Sequence, residues 1–514
     1  MGDGVAARLQ ALTTGGADTA WVAQNVRIFY RRRAHQPAWV GPAGPLGHAD
    51  ALLGALAGAM DHGLDPERYA RGDLARRVAD MRAARRASAA GAPAVRVAPA
   101  SAAELDVALT GAFLNYADDL HRGLVRPGEV GEAWPLSGRA DLAGVLQTGL
   151  DLQDPRRSLE QLAPPQAEYR RLQAALRQYR FAVAAGGWPP CPRGPLARGE
   201  RGARVDSLVR RLVATGDLSP GAEAVLAGEV SRALASFQRR HGLASTGWLD
   251  EATRRALQVP ASQRARQLEA ALERWRWLPH DLGSRYVLVR LADFELDVVV
   301  GGRRAATHRV AVGAPYRRTP VFGSRIERLI VNPSWRVPER IAREEVLPLL
   351  LADRSAAARL GYGVAARGAT GGSGPDWEEL AASDEPLRLV QAPGPANALG
   401  KLKLEFPNAH QVYLHDTPNR AVFETPDRGV SHGCVRVEDA RALAERLLAL
   451  DGEAGRARLD EAWASAATQV LTLHRPVPVY VLYWTARAAA DGEVHFSPDL
   501  YGGDRRLMAL LGRR

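Results

Sequence analysis

The spacing of apolar residues changes near residue 286, and this change limits the chain to a multidomain fold. Before that point apolar residues recur as on one face of a helix, whereas the segments after it are rich in Val, Leu and aromatic residues, as strands are. The chain has 514 residues, which exceeds what one hydrophobic core usually supports. The sequence therefore predicts a multidomain α+β protein whose helical domains precede a mainly β domain.

Residues 1–190 predict a helical domain. Its clearest amphipathic stretch places five apolar residues at helical spacing, namely Leu105, Leu109, Phe113, Tyr116 and Leu120. Within this domain, residues 82–103 are biased towards Ala, Arg and Pro, which predicts a mobile insertion. Prolines and glycines cluster at 186–195 and mark the end of the domain, because proline interrupts the hydrogen bonding of helices and sheets.

Residues 196–260 predict a small bundle of three helices. Two apolar stripes lie at helical spacing, formed by Val205, Leu208 and Leu212 and by Val230, Leu234 and Phe237. Asp250 stands where it can cap the third helix. Residues 262–280 then predict an amphipathic helix that connects this bundle to the next domain.

Residues 283–486 predict the β domain, and residues 487–514 a C-terminal extension. Three strands are predicted at the start of the β domain, over 286–291, 294–300 and 307–313. The Gly301-Gly302 pair suits a tight turn between two of them. Residues 334–396 interrupt the strand pattern with a helical piece and a Gly-rich stretch around Gly371 to Gly374, which predicts a helical lid over a site.

The basic charge of the chain does not indicate a nucleic-acid partner. The net charge is +11, and 66 of the 68 basic residues are Arg, since Lys401 and Lys403 are the two lysines. These arginines are spread along the whole chain, which is typical of a solvated basic surface rather than a binding stripe. Such a surface suits an anionic cell envelope.

The two cysteines, Cys191 and Cys434, exclude a disulfide framework and a Cys-rich zinc site. Cys191 lies in the Pro-Gly linker without a neighbouring His or acidic residue, and we interpret it as an incidental thiol. Cys434 ends a Ser431-His432-Gly433-Cys434 run, and fifteen residues separate this run from His415. The pattern predicts a cysteine nucleophile, whereas a buried cysteine near surface histidines is the competing interpretation.

A catalytic cysteine needs an imidazole within reach and a third group that orients the imidazole. In an extended segment His432 would share a face with the thiol, although a turn would change that. His415 ends an alternating run and can approach the thiol from an adjacent strand. Gly433 permits a close backbone approach, so the N–H groups of Gly433 and Cys434 are candidate donors of an oxyanion hole.

The spacing of His415 and the Ser-His-Gly-Cys run resembles the signature of the L,D-transpeptidase catalytic domain of the YkuD type. Segments at 29–40, 104–120, 312–322 and 331–348 resemble the large subgroup in which a helical scaffold domain and a peptidoglycan-binding domain precede the catalytic one. Several residues of 196–260 match the peptidoglycan-binding-domain-1 pattern, among them Phe237, Gln238, Gly242, Leu243, Gly247, Leu249, Asp250, Thr253 and Leu257. Thr246 replaces the usual Asp of that pattern.

The resemblance implies a role for each matching residue. Cys434 would be the nucleophile, and His415 the general base, oriented by the backbone of Asp416. Ser431, His432 and Gly433 would shape the pocket and the oxyanion hole. Arg436 stands where many smaller members carry Asn, which changes the expected substrate contacts. The candidate substrate-binding residues are Tyr413 and Trp335.

The resemblance further implies acyl transfer without a metal or cofactor. Cys434 would attack a tetrapeptide stem of peptidoglycan, expel D-Ala and form a thioester. The side-chain amine of a diamino acid in a neighbouring stem would then accept the acyl group, which gives a 3-3 cross-link. A role in cell shape, inhibition by carbapenems and association with other cell-wall synthesis enzymes are implied in the same way.

Three alternatives stay open. The same thioester could serve L,D-carboxypeptidase hydrolysis or the anchoring of a protein to peptidoglycan, or the chain could be a noncatalytic peptidoglycan-binding scaffold. A metal site from His410, His415, His432 and Cys434 is the third, although the short zinc spacings are absent. The first residues do not resemble a signal peptide, so we expect an exported periplasmic or cell-envelope protein whose signal or anchor segment lies outside this chain.

Overall fold

A computed structural model of the chain describes residues 2–10, 17–89, 99–132, 134, 138, 140–364, 375–452 and 454–512. The chain forms two compact units, of which the first combines Met1–Asp281 with Trp484–Arg514 and the second comprises Leu282–Tyr483. The mixture of helical and sheet-rich parts confirms the predicted fold class. Across the described ranges, no helix combines the length and the apolarity that crossing a membrane requires.

The first unit begins with helices, as predicted. They are α1 (Gly2–Gln10), α2 (Ala17–Arg32), α3 (Gly47–Ala57), α4 (Arg71–Ala89), α5 (Pro99–Arg122), α6 (Leu142–Asp151), α7 (Pro155–Glu160) and α8 (Ala167–Ala184). Short strands β1 (Val40–Gly41) and β2 (Gly44–Pro45) pair between α2 and α3. The five residues predicted for the apolar face of α5 are all buried, with at most 3% of their surface exposed. Helical periodicity alone was sufficient to predict this helix.

A buried carboxylate organises the segment after α2. Asp106 of α5 accepts hydrogen bonds from the backbone N–H groups of Ala38, Trp39 and Val40 at 2.7–3.1 Å. It also accepts one from the Tyr30 hydroxyl at 2.5 Å. Burial raises the pKa of Asp106, and the four donors offset this cost by stabilising the carboxylate. The sequence did not predict this contact because its partners lie about seventy residues apart.

The predicted insertion at 82–103 is partly wrong. Helix α4 continues to Ala89, and α5 already begins at Pro99. Residues 90–98, the middle of the predicted insertion, lie outside the described residues. Ala and Arg are strong helix formers, so their enrichment at 82–89 extends helix α4 instead of interrupting it.

Residues 196–260 contain the three expected helices, α9 (Ala203–Ala214), α10 (Gly228–Arg240) and α11 (Glu251–Gln258). The Asp250 side chain caps α11 by accepting from the Thr253 N–H at 2.7 Å. Gln238 is fully buried and bonds to three groups of the turn before α11 and to the Thr253 hydroxyl within α11, which explains the need for Gln at this position. Cys191 packs against the core of this bundle, so it is a structural residue and not an incidental linker thiol.

The helix predicted as a connector over 262–280 is instead a core element of the first unit. Helix α12 (Ala261–Trp277) buries thirteen of its residues. Its Glu273 and Arg276 side chains form an ion pair without exposed surface. Trp275 stacks on Trp484 with ring centroids 4.5 Å apart. A partner more than two hundred residues away is invisible in the local pattern, which is why the helix resembled a linker.

The second unit contains one large sheet, and three of its strands match the predicted ones. Its strands are β3 (Arg285–Arg290), β4 (Glu295–Val300), β5 (Arg303–Gly313), β6 (Phe322–Val331), β10 (Leu402–Glu405), β11 (Leu414–His415), β12 (Gly429–Ser431), β13 (Val435–Val437) and β14 (Gln469–Leu482), with β7 to β9 in the lid segment. The spatial order is β12-β5-β13-β11-β10-β6-β14-β3-β4, and β4 also pairs with β5. The sheet therefore closes on itself. Helices α17 (Ala440–Ala449) and α18 (Gly455–Ala464) follow β13.

The lid segment at 334–396 contains more than helices. Its described elements are β7 (Trp335–Arg336), α13 (Glu339–Ile341), a π-helical turn (Ala342–Val346), α14 (Leu347–Ala352), α15 (Ser355–Leu360), β8 (Tyr362–Val364), α16 (Trp377–Ala382) and β9 (Leu389–Gln391). The strands form a separate sheet in the order β7-β9-β8, which the sequence missed because they are only two or three residues long. The segment has its own apolar core around Leu350 and Trp377. The glycines at 371–374 lie outside the described residues.

The predicted C-terminal extension at 487–514 belongs to the first unit. Strands β15 (Ala486–Ala488) and β16 (Val494–Phe496) pair, and helix α19 (Gly503–Leu511) follows. Asp504 of α19 accepts a hydrogen bond from Arg274 of α12 at 2.5 Å. The second unit ends at Tyr483 rather than at the predicted residue 486, because the chain returns to the first unit at Trp484.

Candidate active site

Cys434 lies in the tight turn between β12 and β13. Gly433 adopts a φ of +118°, which residues with a Cβ rarely adopt. The Ser431 hydroxyl donates to the Cys434 carbonyl oxygen at 2.5 Å and accepts from the Gly433 N–H at 3.1 Å. Thr319 donates to the Gly433 carbonyl oxygen at 2.8 Å. The hydroxyl groups of Ser431 and Thr319 therefore fix the backbone of Gly433 and Cys434.

His415 reaches the site from the neighbouring strand. Strand β11 pairs in parallel with β13, with Leu414 opposite Val435 and His415 opposite Arg436. His415 Nδ1 lies 2.5 Å from the carbonyl oxygen of Asp416. A carbonyl oxygen can only accept, so Nδ1 carries the hydrogen and Nε2 keeps its lone pair for a proton. This is the orientation that the resemblance implies for a general base.

Asp416 fixes the backbone that orients His415. Its carboxylate accepts from the Lys401 N–H at 2.9 Å and pairs with Arg420 at 2.7 Å. A Cβ on Gly400 would come within 2.5 Å of this carboxylate, so glycine is required there. Asp416 thus acts through its backbone carbonyl, while its buried carboxylate is held by the Lys401 N–H and the half-exposed Arg420.

His432 contacts the lid rather than the thiol, although both residues line the same cavity. It lies in the turn, and its Nε2 contacts Glu345 of the lid segment at 2.5 Å. Arg317 pairs with Glu345 at 2.6 Å and with Glu344 at 2.7 Å. We call Arg317, Glu344, Glu345 and His432 the lid latch. The turn conformation therefore makes His432 a lid contact, while His415 is the histidine on the adjacent strand.

The predicted substrate-binding residues Tyr413 and Trp335 lie beside the thiol. Both line the same cavity as Cys434, and the proximity of the Tyr413 hydroxyl is one cause that lowers the pKa of the Cys434 thiol. Lys403 places its ammonium 4.5 Å from the centre of the Tyr413 ring and pairs with Glu405 at 2.8 Å. Burial raises the pKa of Tyr413, so its hydroxyl stays a donor at neutral pH.

Arg436 brings an unpaired positive charge to the site. Its guanidinium has no hydrogen bond or ion pair with any residue in the described ranges, and its Nε is buried. Burial lowers the pKa of Arg436, since the charge is partly desolvated. An arginine of this kind is suited to a carboxylate of the substrate.

One cavity of about 680 Å³ is lined by Cys434, His415, Tyr413, Trp335 and Arg436. Its walls come from the turn with Cys434, from strand β11 and from the lid segment, which contributes Pro338, Ile341, Val346 and Leu349. Tyr316 stands at the cavity with 82% of its surface exposed. The volume is typical of sites for small molecules and short peptides.

Cys434 and His415 are a neutral thiol and imidazole rather than an ion pair. Burial raises the pKa of the Cys434 thiol, although Tyr413, Lys403 and Arg436 oppose this. Burial, followed by the charges of Arg436 and Lys403, lowers the pKa of His415 to about 3. Both groups are therefore uncharged at pH 7, and the thiol donates to the carbonyl oxygen of Gln411 at 3.9 Å. The thiol must lose its proton as it attacks, with His415 as the acceptor.

This neutral state predicts a steep pH dependence of alkylation. In a Cys191→Ala variant, the rate at which iodoacetamide modifies Cys434 should rise roughly tenfold per pH unit from pH 6 to 8, because only the thiolate reacts. The rates are measured by intact mass. An alkylation rate that does not change with pH below pH 7 would show a preformed thiolate–imidazolium pair and contradict the neutral state.

The predicted oxyanion hole needs a correction. The Gly433 N–H is not available, because it donates to the Ser431 hydroxyl at 3.1 Å. The Cys434 N–H has no hydrogen-bond partner among the described residues. The Tyr413 hydroxyl is the other donor next to the thiol.

Sequence reasoning missed several residues that support the site. Thr319, Arg317, Glu345, Lys403 and Gln411 all contact the turn, the thiol or its neighbours. Thr319 and Arg317 lie in the 312–322 segment that supported the resemblance, but nothing in their spacing assigns them a role. His410 packs against Phe322 at 5.6 Å. Within the part of the chain that the structure covers, no three His, Cys, Asp or Glu residues are grouped as metal ligands.

Comparisons with known proteins agree with this arrangement. Residues 284–479 match the family model of the L,D-transpeptidase catalytic domain, YkuD. Residues 24–176 match the Scaffold domain, and residues 201–257 match the family described as "Putative peptidoglycan binding domain". The chain thus contains a YkuD-type L,D-transpeptidase catalytic domain, preceded by a scaffold domain and a peptidoglycan-binding domain.

One curated relative from Haemophilus influenzae is named "Putative L,D-transpeptidase" and is 35% identical over 225 residues. The match covers 43% of this chain and 45% of that protein, so the chain spans less than half the length of this relative. Two crystal structures of L,D-transpeptidases also match. The one from Xylanimonas cellulosilytica is 15% identical and covers 57% of this chain and 100% of its own, with a TM-score of 0.18. The one from Stackebrandtia nassauensis is 16% identical and covers 57% and 96%, with a TM-score of 0.23. Scores this low carry no argument about the fold.

Proposed function

We propose that this chain is a peptidoglycan L,D-transpeptidase that forms 3-3 cross-links through a thioester on Cys434. The observation that carries the proposal is the pairing of β11 with β13, which brings His415 and Cys434 to one cavity with the His415 Nε2 lone pair unblocked. The family match supports acyl transfer, and the peptidoglycan-binding domain supports peptidoglycan as the substrate.

In the first half-reaction, a tetrapeptide stem binds with a carboxylate at Arg436. His415 Nε2 takes the thiol proton while the Cys434 sulfur attacks the carbonyl carbon of the third residue. The resulting oxyanion accepts hydrogen bonds from the Cys434 N–H and the Tyr413 hydroxyl. When the intermediate collapses, the C–N bond breaks, His415 returns the proton to the departing amine of D-Ala, and the thioester remains.

In the second half-reaction, the side-chain amine of a neighbouring stem attacks the thioester. His415 takes a proton from this amine, and the C–S bond breaks as the new amide forms. The sulfur leaves as a thiolate and recovers the proton from His415. The two half-reactions together replace one amide bond by another, and His415 moves one proton in each of them. No metal or cofactor is needed.

Arg436 links substrate binding to the basicity of His415. In the empty cavity its charge is a cause of the low pKa of His415. A substrate carboxylate beside Arg436 would neutralise this charge and raise the pKa of the imidazole. The base would therefore become stronger when the donor stem is bound.

Product analysis tests the proposal against its closest alternatives. The full chain is incubated with tetrapeptide-containing sacculi, and the released muropeptides are identified by mass spectrometry. Dimers joined through two third-position residues support cross-linking. Tripeptides without dimers would instead show L,D-carboxypeptidase hydrolysis, and protein-linked tripeptides would show anchoring. No change with either wild type or Cys434→Ala would favour a noncatalytic scaffold.

The bundle at 201–257 is proposed to bind sacculi without chemistry. Gln238, which matches the family pattern, and Thr246, which replaces its usual Asp, bond to each other inside the fold, where Thr246 accepts a hydrogen bond from Gln238 at 3.0 Å. Trp248 next to them is 36% exposed, and Arg198 lies 5.2 Å from its ring. An exposed aromatic ring of this kind is suited to contact with a glycan or peptide.

We therefore predict that Trp248→Ala reduces sacculus binding roughly tenfold, the effect of a typical aromatic anchor. Binding is measured by co-sedimentation with purified sacculi. Phe181→Ala, which removes an exposed ring elsewhere in the first unit, should bind normally. Both variants should acylate at the wild-type rate. Equal sedimentation of Trp248→Ala and wild type would exclude this residue from binding.

We also propose that the protein works in the periplasm or cell envelope, where its substrate lies, and that it cooperates there with other cell-wall synthesis enzymes. The peptidoglycan-binding domain and the basic surface support this location. Fractionation of cells that express the full-length gene tests it, since an exclusively cytoplasmic protein could not reach the proposed substrate.

A further inference from the structure

The helical part of the first unit contains a second cavity, of about 570 Å³, which contains none of the residues proposed for catalysis. It opens between α3, α5, α7 and α8. We call it the scaffold cavity. Its volume lies within the range of about 300–1,000 Å³ that is common for ligand sites. Its apolar walls include Ala55, Leu120 and Leu159.

Tyr116 provides an unused donor in the wall of this cavity. The residue is 3% exposed, and its hydroxyl forms no hydrogen bond within the described part of the chain. The hydroxyl oxygen is not enclosed by protein and is open to the cavity. The neighbouring Tyr169 hydroxyl, in contrast, bonds to His62 at 2.9 Å and to Arg276 at 3.1 Å. The Tyr116 hydroxyl is therefore free to donate to a ligand group in the cavity.

The rim of the scaffold cavity carries an excess of positive charge. Four arginines and two acidic residues line it, namely Arg156, Arg157, Arg170, Arg177, Asp61 and Glu160. Arg156 pairs with Glu160 at 2.7 Å, and Arg177 pairs with Asp61 at 3.2 Å.

The other two arginines, Arg157 and Arg170, are left without acidic partners among the described residues. Arg170 bonds to the carbonyl oxygen of Pro165 at 3.1 Å, which leaves its charge uncompensated. His62 adds no charge at neutral pH, because burial and the cations Arg276 and Arg177 lower its pKa to about 3. Two guanidinium charges thus remain for an anion.

We propose that the scaffold cavity binds a short acidic peptide. The apolar walls accommodate side-chain carbons, Arg157 and Arg170 meet carboxylates, and the Tyr116 hydroxyl donates to a carboxylate or carbonyl oxygen. A simple inorganic anion would use the arginines but leave the apolar walls empty. The site is separate from catalysis, so the inference stands or falls independently of the proposed function.

The test uses the full chain with Cys434→Ala, which prevents turnover. Three probes are compared: a free stem tetrapeptide, the same peptide with every carboxylate amidated, and acetate. Hydrogen–deuterium exchange should slow in residues 54–62 and 156–177 with the acidic peptide alone. Equal protection by acetate would show a general small-anion site and overturn the proposal. Protection by the amidated peptide, or no protection by any probe, would overturn it as well.

Point variants separate the scaffold cavity from the catalytic one. Tyr116→Phe removes a single oxygen, and Arg157→Ala removes one charge. Each variant should therefore need an at least fivefold higher peptide concentration to reach the same protection of these segments. Arg210→Ala removes an exposed arginine of α9 outside the cavity and should have no effect. Melting temperatures check that the variants fold. Unchanged protection in both Tyr116→Phe and Arg157→Ala would contradict the assignment.

The exchange experiment, combined with an acylation measurement, distinguishes this inference from the proposed function. Acylation of Cys434 by a carbapenem, measured on the wild-type chain and on Arg157→Ala, should be equal because Arg157 does not line the catalytic cavity. If the acidic peptide gives no protection in the Cys434→Ala chain while the wild-type chain is acylated normally, the scaffold site alone is refuted.

Discussion

His415→Ala should slow the acylation of Cys434 by about 10²–10⁴-fold, which is the usual effect of removing a general base. The reason lies in the neutral resting state, since the raised pKa of the thiol leaves little thiolate for attack without a base. The resemblance implies that carbapenems act as acyl donors for this site. Intact-mass kinetics with a carbapenem therefore measure the effect directly, as one adduct per chain.

Two variants control this prediction. His415→Gln keeps a polar group that can donate to the Asp416 carbonyl oxygen but cannot act as a base, so it should be as slow as His415→Ala. His432→Ala should be milder, since the His432 ring nitrogen contacts Glu345 of the lid and not the thiol. Acylation of His415→Ala at the wild-type rate would contradict its role as the base. A larger loss of acylation rate in His432→Ala than in His415→Ala would assign that role to His432.

Removal of the lid should abolish most cross-linking of sacculi while leaving the thiol reactive. The lid segment contributes a large part of the cavity wall, including Ile341, Val346 and Leu349. It is joined to the turn before Cys434 through the lid latch. We propose that the lid moves when the polymer binds and then excludes water from the thioester. Without it, the thioester should hydrolyse and the product should change from dimers to tripeptides.

The strand pairing provides a clean way to make this variant. Strands β7 and β9 are antiparallel neighbours, and the Val337 N–H donates to the Leu389 carbonyl oxygen at 2.9 Å. Residues 338–388 can therefore be replaced by Asn-Gly, which forms a two-residue hairpin turn. Alkylation by iodoacetamide should persist in this variant. Glu345→Gln, which weakens the latch alone, should show an intermediate loss. Cross-linking by the hairpin variant at the wild-type level would refute the lid.

The sequence was sufficient where the determining contacts are local. Apolar spacing predicted α5, and the side chain of Asp250 predicted the start of α11, because each depends on residues a few positions away. The spacing of His415 and Cys434 predicted that both belong to one site. It did not predict how they meet, which required the parallel pairing of β11 with β13.

The sequence failed where the partner is distant along the chain. Helix α12 resembled a linker because its partners Trp484 and Asp504 come after the whole second unit. Tyr413 was predicted to contact substrate, and this stays a prediction; its position beside the Cys434 thiol in the same cavity could not be read from spacing. The turn at Gly433 directed His432 to the lid, which spacing alone left open. Each of these depends on a tertiary contact that composition and periodicity do not contain.

The most direct test of the proposed chemistry is to trap the acyl-enzyme from a natural donor. A disaccharide tetrapeptide is acetylated on the side-chain amine of its diamino acid, so that it can donate but not accept. The account predicts an adduct on the wild-type chain with the mass of the donor minus D-Ala, located on Cys434 and released by hydroxylamine as a thioester is. Cys191→Ala should form the same adduct, and Cys434→Ala should form none. An adduct that persists in Cys434→Ala, or release of D-Ala by that variant at the wild-type rate, would contradict the account.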